Sequence, residues 1–120
     1  MAARRSKMIL IVDDNVGLAE NIAEILEMDG HATMVAASAE EALTKASPTT
    51  PDVLVTDYRL PGISGAMLVR RLQEMGLRVH AIVISAYTDD KTIEDARSTG
   101  AAFVPKPVDL RTLGQLVGAA

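Results

Sequence analysis

Along the chain, a short apolar run alternates five times with a longer stretch in which apolar residues recur every three or four positions. Met8 to Val12 is apolar throughout, without the in–out alternation of a half-exposed strand, as a parallel strand buried on both faces requires. Asp13-Asp14-Asn15 interrupts it and opens a helix reaching Asp29, with Val16, Ala19, Ile22, Ala23 and Leu26 on one stripe. Gly30 stands where a left-handed residue would stop that helix. Thr33 to Ala37 reads as a second strand, and Ser38-Ala39-Glu40-Glu41 has the capping-box pattern that starts a second helix. Ser47 to Pro51 is loop, and Val53 to Thr56 is a third strand ending on Asp57. A Pro61-Gly62 turn leads to a helix from about Ser64 to Met75, closed by Gly76. Val79 to Ile84 is a fourth strand ending on Ser85, and a fourth helix spans about Asp89 to Thr99 before Gly100. Ala102 to Val104 is a short fifth strand, and Asp109 caps a last helix.

Alternating strand–helix units of this length predict one α/β domain: a parallel sheet with helices on both faces, joined by right-handed crossovers. At 120 residues there is room for one such domain, with a flexible N-terminus over 1–7, the domain over 8–118 and no effector domain after it. Hydrophobic residues make up 48% of the chain but aromatics amount to two tyrosines and one phenylalanine, so the core must be aliphatic. The lack of cysteine excludes disulfides, thiolate zinc sites and cysteine nucleophiles. A net charge of −4 argues against direct nucleic-acid binding. No apolar run is long enough for a membrane span, and Met1 to Lys7 lacks the apolar stretch of a signal peptide, so the expected location is the cytoplasm, away from membranes. Arg4, Arg5 and Lys7 read as a solvated, frayed end.

The residues capable of chemistry share one address. Asp13, Asp14, Asp57, Ser85 and Lys106 each follow the carboxyl end of a strand, the rim at which open α/β sheets bind ligands. Taken singly, each has a plain reading. Asp13 or Asp14 would cap a helix, Asp57 would sit in a turn, Ser85 would satisfy a strand end, and Lys106 would be a surface lysine. Together they point elsewhere, because two carboxylates about 5 Å apart repel by roughly 3 kcal/mol at an effective dielectric near 20. A cation relieves that repulsion, and all-oxygen ligation suits Mg²⁺, which takes one or two carboxylates together with phosphate oxygens. Lys106 adds fixed positive charge and Ser85 a hydroxyl donor, the parts that phosphoryl transfer uses.

With Asp13-Asp14 after the first strand, Asp57 after the third, Leu60-Pro61-Gly62 in the next loop, Ser85 after the fourth and Lys106-Pro107 after the fifth, the chain resembles the response-regulator receiver family over about residues 7 to 118. That resemblance implies the flavodoxin-like strand order 2-1-3-4-5. It implies Asp57 as phosphoacceptor, and Mg²⁺ held by Asp14, Asp13, Asp57 and the backbone carbonyl of Arg59. It implies that Lys106 pairs with Asp57 before a cis bond to Pro107, and that Ser85 and Phe103 act as a switch pair. Phe103 as an ordinary core aromatic is the plain alternative. Arg59 and Tyr87 would flank the path of water to the phosphorylated site and tune dephosphorylation.

The implied partners are a histidine kinase or histidine phosphotransfer domain, and an output domain or protein on the face of the fourth helix, fifth strand and fifth helix. A homodimer formed on phosphorylation is a further implied partner. The domain would catalyse only its own phosphorylation and dephosphorylation, unless it is cut from a hybrid kinase. The sequence departs from the family in having Ser85 where many relatives have threonine, Phe103 rather than tyrosine, and Pro105 before the lysine. Three rival readings are weighed: a degenerate receiver acting as a scaffold, an aspartyl phosphatase of the haloacid dehalogenase type, and a flavin carrier. The phosphatase would need an acid where Arg59 stands, and the flavin carrier a Ser/Thr/Gly-rich loop in place of Asp13-Asp14-Asn15.

Overall fold

The computed structural model describes residues 6–120. Its elements run β1 (Met8–Val12), α1 (Val16–Met28), β2 (Ala32–Ala36), α2 (Ala39–Ala46), β3 (Val53–Asp57), α3 (Gly65–Glu74), β4 (His80–Ser85), α4 (Asp90–Arg97), β5 (Ala102–Pro105) and α5 (Leu110–Ala119). The strands are all parallel, in the order β2-β1-β3-β4-β5.

Side-chain alternation along the strands divides the core in two. Leu10, Val12, Leu54 and Val83 face Ala39, Ala42 and Ala46 of α2, Leu68, Val69 and Leu72 of α3 and Ala96 of α4. Ile9, Ile11, Val53, Val55, Ile82 and Ile84 face Ile22 and Leu26 of α1 and Leu113 and Val117 of α5. Each of these large side chains, fully buried, contributes about 1.5–3 kcal/mol relative to exposure. The three central strands are buried almost throughout, which is why their sequences read as continuous apolar runs.

Helix starts follow the expected chemistry, with two corrections. Ser38 caps α2 by accepting from Glu41 N at 3.1 Å, but the Glu41 carboxylate reaches back to the backbone N–H of Ala37 rather than to that of Ser38. Neither Asp13 nor Asp14 caps α1; Asn15 does, accepting from Leu18 N at 3.1 Å. Val16, placed on the buried stripe by the 3.6-residue period, is 46% exposed: the start of α1 lies at the surface, and its buried face begins at Ala19. Gly30, Gly76 and Gly100 end their helices at positive φ.

Arg4 and Arg5 lie outside the described residues. Lys7 is held rather than frayed: its ammonium donates to the carbonyls of Val117 (2.7 Å), Gly118 (3.2 Å) and Ala120. The Val117 carbonyl also accepts from the N–H of Ala120 at 3.2 Å, and a cation at this end of α5 is favoured by the helix dipole. Among the described residues no helix is long and apolar enough to cross a membrane.

Candidate functional site

Because the strands are parallel, their carboxyl ends fall on one rim, and the loops leaving β1, β3, β4 and β5 meet there. Asp13 directly follows β1, tied to β2 through its N–H to the Ala36 carbonyl at 3.1 Å. Its Oδ1 accepts from the N–H of Asn15 at 2.9 Å, so the residue that caps α1 also orients the acid beside it. Asp13 and Asp57 are buried, whereas Asp14 is exposed. Carboxylate oxygens of all three lie within 4.8 Å of one another.

Lys106 reaches in from the loop after β5. Its Nζ lies 3.4 Å from Asp13 Oδ2 and 3.4 Å from Asp57 Oδ1. One ammonium is thus shared between two buried carboxylates, with a third close by. Burial, and after it the charge of Asp13, pushes the Asp57 carboxyl above the usual carboxylate range, and Lys106 opposes the shift without cancelling it. Lys106 is fixed by its own backbone N–H, which donates to the Ser85 carbonyl at 2.8 Å, and its bond to Pro107 is cis, as the resemblance implies. The donor set is all oxygen, convergent and short of positive charge, so it fits a hard divalent cation.

Ser85 is buried at the end of β4, where its hydroxyl accepts from the N–H of Tyr87 at 2.9 Å. That bond uses a lone pair and leaves the hydroxyl hydrogen to donate. In the β4–β5 register Ser85 pairs with Pro105 and Val83 with Phe103, so Phe103 lies two positions down the neighbouring strand. Phe103 is half-buried, packed on the core layer beneath α2, α3 and α4. The Arg59 guanidinium stacks over the Tyr87 ring, 4.3 Å from its centroid.

Two residues that sequence reasoning passed over hold Asp57 in place. Thr56, fully buried, donates its hydroxyl to the Asp57 carbonyl at 3.0 Å. Gly65 packs so closely that a Cβ there would collide with that same carbonyl oxygen. Its own N–H donates to the Tyr58 carbonyl at 2.7 Å. A glycine opening a helix is a weak sequence signal, since nothing local shows that a strand end presses on it.

A doubly wound parallel sheet with an acid cluster, a lysine and a hydroxyl on its carboxyl rim defines the class. The chain matches the response regulator receiver domain over residues 9–118, and it belongs to that family: it is a receiver domain of two-component signalling. A response regulator receiver protein from Anaeromyxobacter sp. is 45% identical over 100 residues, covering 82% of this chain and 42% of that protein. The sporulation initiation phosphotransferase F of Bacillus subtilis is 28% identical over 106 residues, covering 88% of this chain and 86% of its own length. The crystal structure of a putative response regulator from Chloroflexus aurantiacus superposes with a TM-score of 0.88 at 30% identity, covering 96% of this chain and 97% of that one. The chain thus spans less than half of the first of these relatives and most of the second.

Proposed function

We propose that Asp57 accepts a phosphoryl group from a phosphohistidine on a histidine kinase or histidine phosphotransfer domain. The observation that carries this reading is the shared lysine: a buried strand-end carboxylate, 3.4 Å from an ammonium that it divides with a second acid. Asp57 presents an oxygen nucleophile whose backbone is fixed by Thr56 and Gly65, so attack needs little reorganisation. Its carboxylate oxygen forms the new O–P bond as the P–N bond to the donor imidazole breaks, and the imidazole nitrogen leaves with the electron pair and takes a proton from solvent. As Asp57 becomes an acyl phosphate, Lys106 is positioned to pair with the phosphoryl oxygens and Ser85 to donate its hydroxyl to one of them.

Asp13, Asp14, Asp57 and the Arg59 backbone carbonyl would hold Mg²⁺, which when bound neutralises carboxylate and phosphoryl charge. Ser85 moving toward a phosphoryl group would vacate space on the face shared with Phe103, biasing the surface of α4, β5 and α5 toward an output domain, a partner protein or a second copy of the chain. Domain boundaries at 8–118, with catalysis confined to its own phosphorylation and dephosphorylation, complete the proposal.

Acetyl phosphate with Mg²⁺ should add one phosphate to the intact wild-type protein and none to Asp57→Asn, as read by mass spectrometry. Equal labelling of the two proteins would overturn the assignment.

A further inference from the structure

Tyr58, the residue next to Asp57, does not stay at the rim. Its hydroxyl crosses to α4 and donates to Asp95 Oδ2 at 2.7 Å. The other oxygen, Oδ1, accepts from Arg70 of α3 at 3.0 Å, and the same guanidinium nitrogen donates to Ser98 Oγ at 2.8 Å. Gln73, one helical turn further along α3, donates to the Thr99 carbonyl at 2.9 Å. The main chain of Tyr58 is pinned on both sides: its N–H donates to the Ile84 carbonyl at 2.7 Å and its carbonyl accepts from Gly65 N at 2.7 Å.

These polar ties matter because α4 has little else. It buries Thr92 and Ala96, whereas α1 buries four residues and α3 buries five, large aliphatic side chains among them. Two small side chains supply little hydrophobic anchorage, so the hydrogen bonds at Asp95 form a large share of what fixes the helix. Their geometry is also demanding. A single carboxylate is held by a phenol from one side and a guanidinium from another, so a shift of either the 57–58 main chain or α4 breaks at least one bond.

We propose that Tyr58, Asp95 and Arg70 form a latch that holds α4 in its resting position, and that a change at Asp57 reaches α4 through release of this latch as well as through Ser85 and Phe103. The proposal rests on the reading of Asp57 as the acceptor for its second half alone. The latch itself is a property of the unphosphorylated domain.

Hydrogen exchange followed by mass spectrometry separates the two halves. Tyr58→Phe removes the hydroxyl and keeps the ring packed on the core, and Asp95→Asn keeps the shape of the carboxylate. Without any donor, both variants should exchange the amides of residues 90–99 about fivefold faster than wild type, the effect of losing one ordinary hydrogen bond, at labelling times too short for the core strands, which open only with the whole fold, to exchange. Wild-type rates in 90–99 at those times would overturn the latch. Acetyl phosphate with Mg²⁺ should then accelerate exchange of 90–99 in wild type and add little in Tyr58→Phe, where the latch is already open. Equal increments in the two would overturn its coupling to Asp57. A wild type that takes up no phosphate would sink the acceptor reading and leave the first comparison to decide the latch.

Discussion

Arg59 and Tyr87 are each two residues beyond a rim side chain, Asp57 and Ser85 respectively, and they meet over that rim in a cation–π stack. An exposed stack of this kind is worth about 0.5–1 kcal/mol, enough to keep two bulky side chains together much of the time. Both are exposed, and we propose that they act on what approaches the site from solvent. A bulky, paired cover should exclude or misplace the water that would hydrolyse an acyl phosphate at Asp57. The double substitution Arg59→Asn with Tyr87→Glu should speed loss of phosphate by roughly tenfold, a barrier change of about 1.4 kcal/mol. Decay of the two phosphorylated proteins, followed side by side with Mg²⁺ present, checks this; equal or slower decay in the variant means the pair does not guard the site. At this scale, what was legible in the sequence divides by mechanism. The acids, Ser85 and Lys106 could be found because each follows an apolar run that ends at the rim. Thr56, Gly65 and the Tyr58–Asp95 pair could not: Thr56 and Gly65 look like ordinary strand and helix-start residues until the chain folds back on Asp57, and Tyr58 and Asp95 meet only across 37 residues of sequence.

Elements were legible to within a residue or two, and the misses in the strands have one cause. The second strand was expected at Thr33 to Ala37 and runs Ala32–Ala36, because its first residue is set by pairing with Met8 across the ladder. The fifth extends to Pro105 because Ser85 lies opposite, and the fourth begins at His80 because Val53 does. Strand ends are properties of a partner's register, whereas helix starts are written locally in Asn15, Ser38, Ser64, Asp89 and Asp109. Helix α4 carries a pH signature of its polar anchorage. The Tyr58 hydroxyl, and after it Arg70, hold the Asp95 carboxyl below its ordinary value of 3.8 against the opposing effect of burial. A depressed folded-state value means that the group stabilises the fold above its unfolded value, and that this contribution is lost as pH falls through the folded one. Tyr58→Phe removes the largest cause of the depression. The stability difference between wild type and variant should therefore be greatest near neutral pH and shrink as pH falls below 3.8. Urea denaturation at several pH values between about 7 and 3 measures it; a gap that widens in acid would contradict the assignment.

Across the whole molecule, the two-layered aliphatic core supplies the stability and the rim draws on it. Three carboxylates share a few ångströms with one lysine, and burial together with the charge of Asp13 raises the carboxyl of Asp57, so the metal-free fold carries repulsion that Lys106 offsets only in part. Any cation that binds this arrangement in the folded state, and not in the unfolded chain, must raise stability by mass action, by about 2.7 kcal/mol at a hundred times its dissociation constant. Mg²⁺ titrated into the wild type should accordingly raise the melting temperature progressively, and a chelator should reverse the gain. Asp14→Ala keeps Asn15 as the helix cap, so its effect reports on the acid cluster rather than on α1. The variant should lose most of the Mg²⁺ response while its metal-free form melts no lower than the metal-free wild type, since one repelling charge has gone. The opposite pattern, an unchanged Mg²⁺ response with a lower metal-free melting temperature, would mean that Asp14 supports the fold and leaves the cation to other ligands.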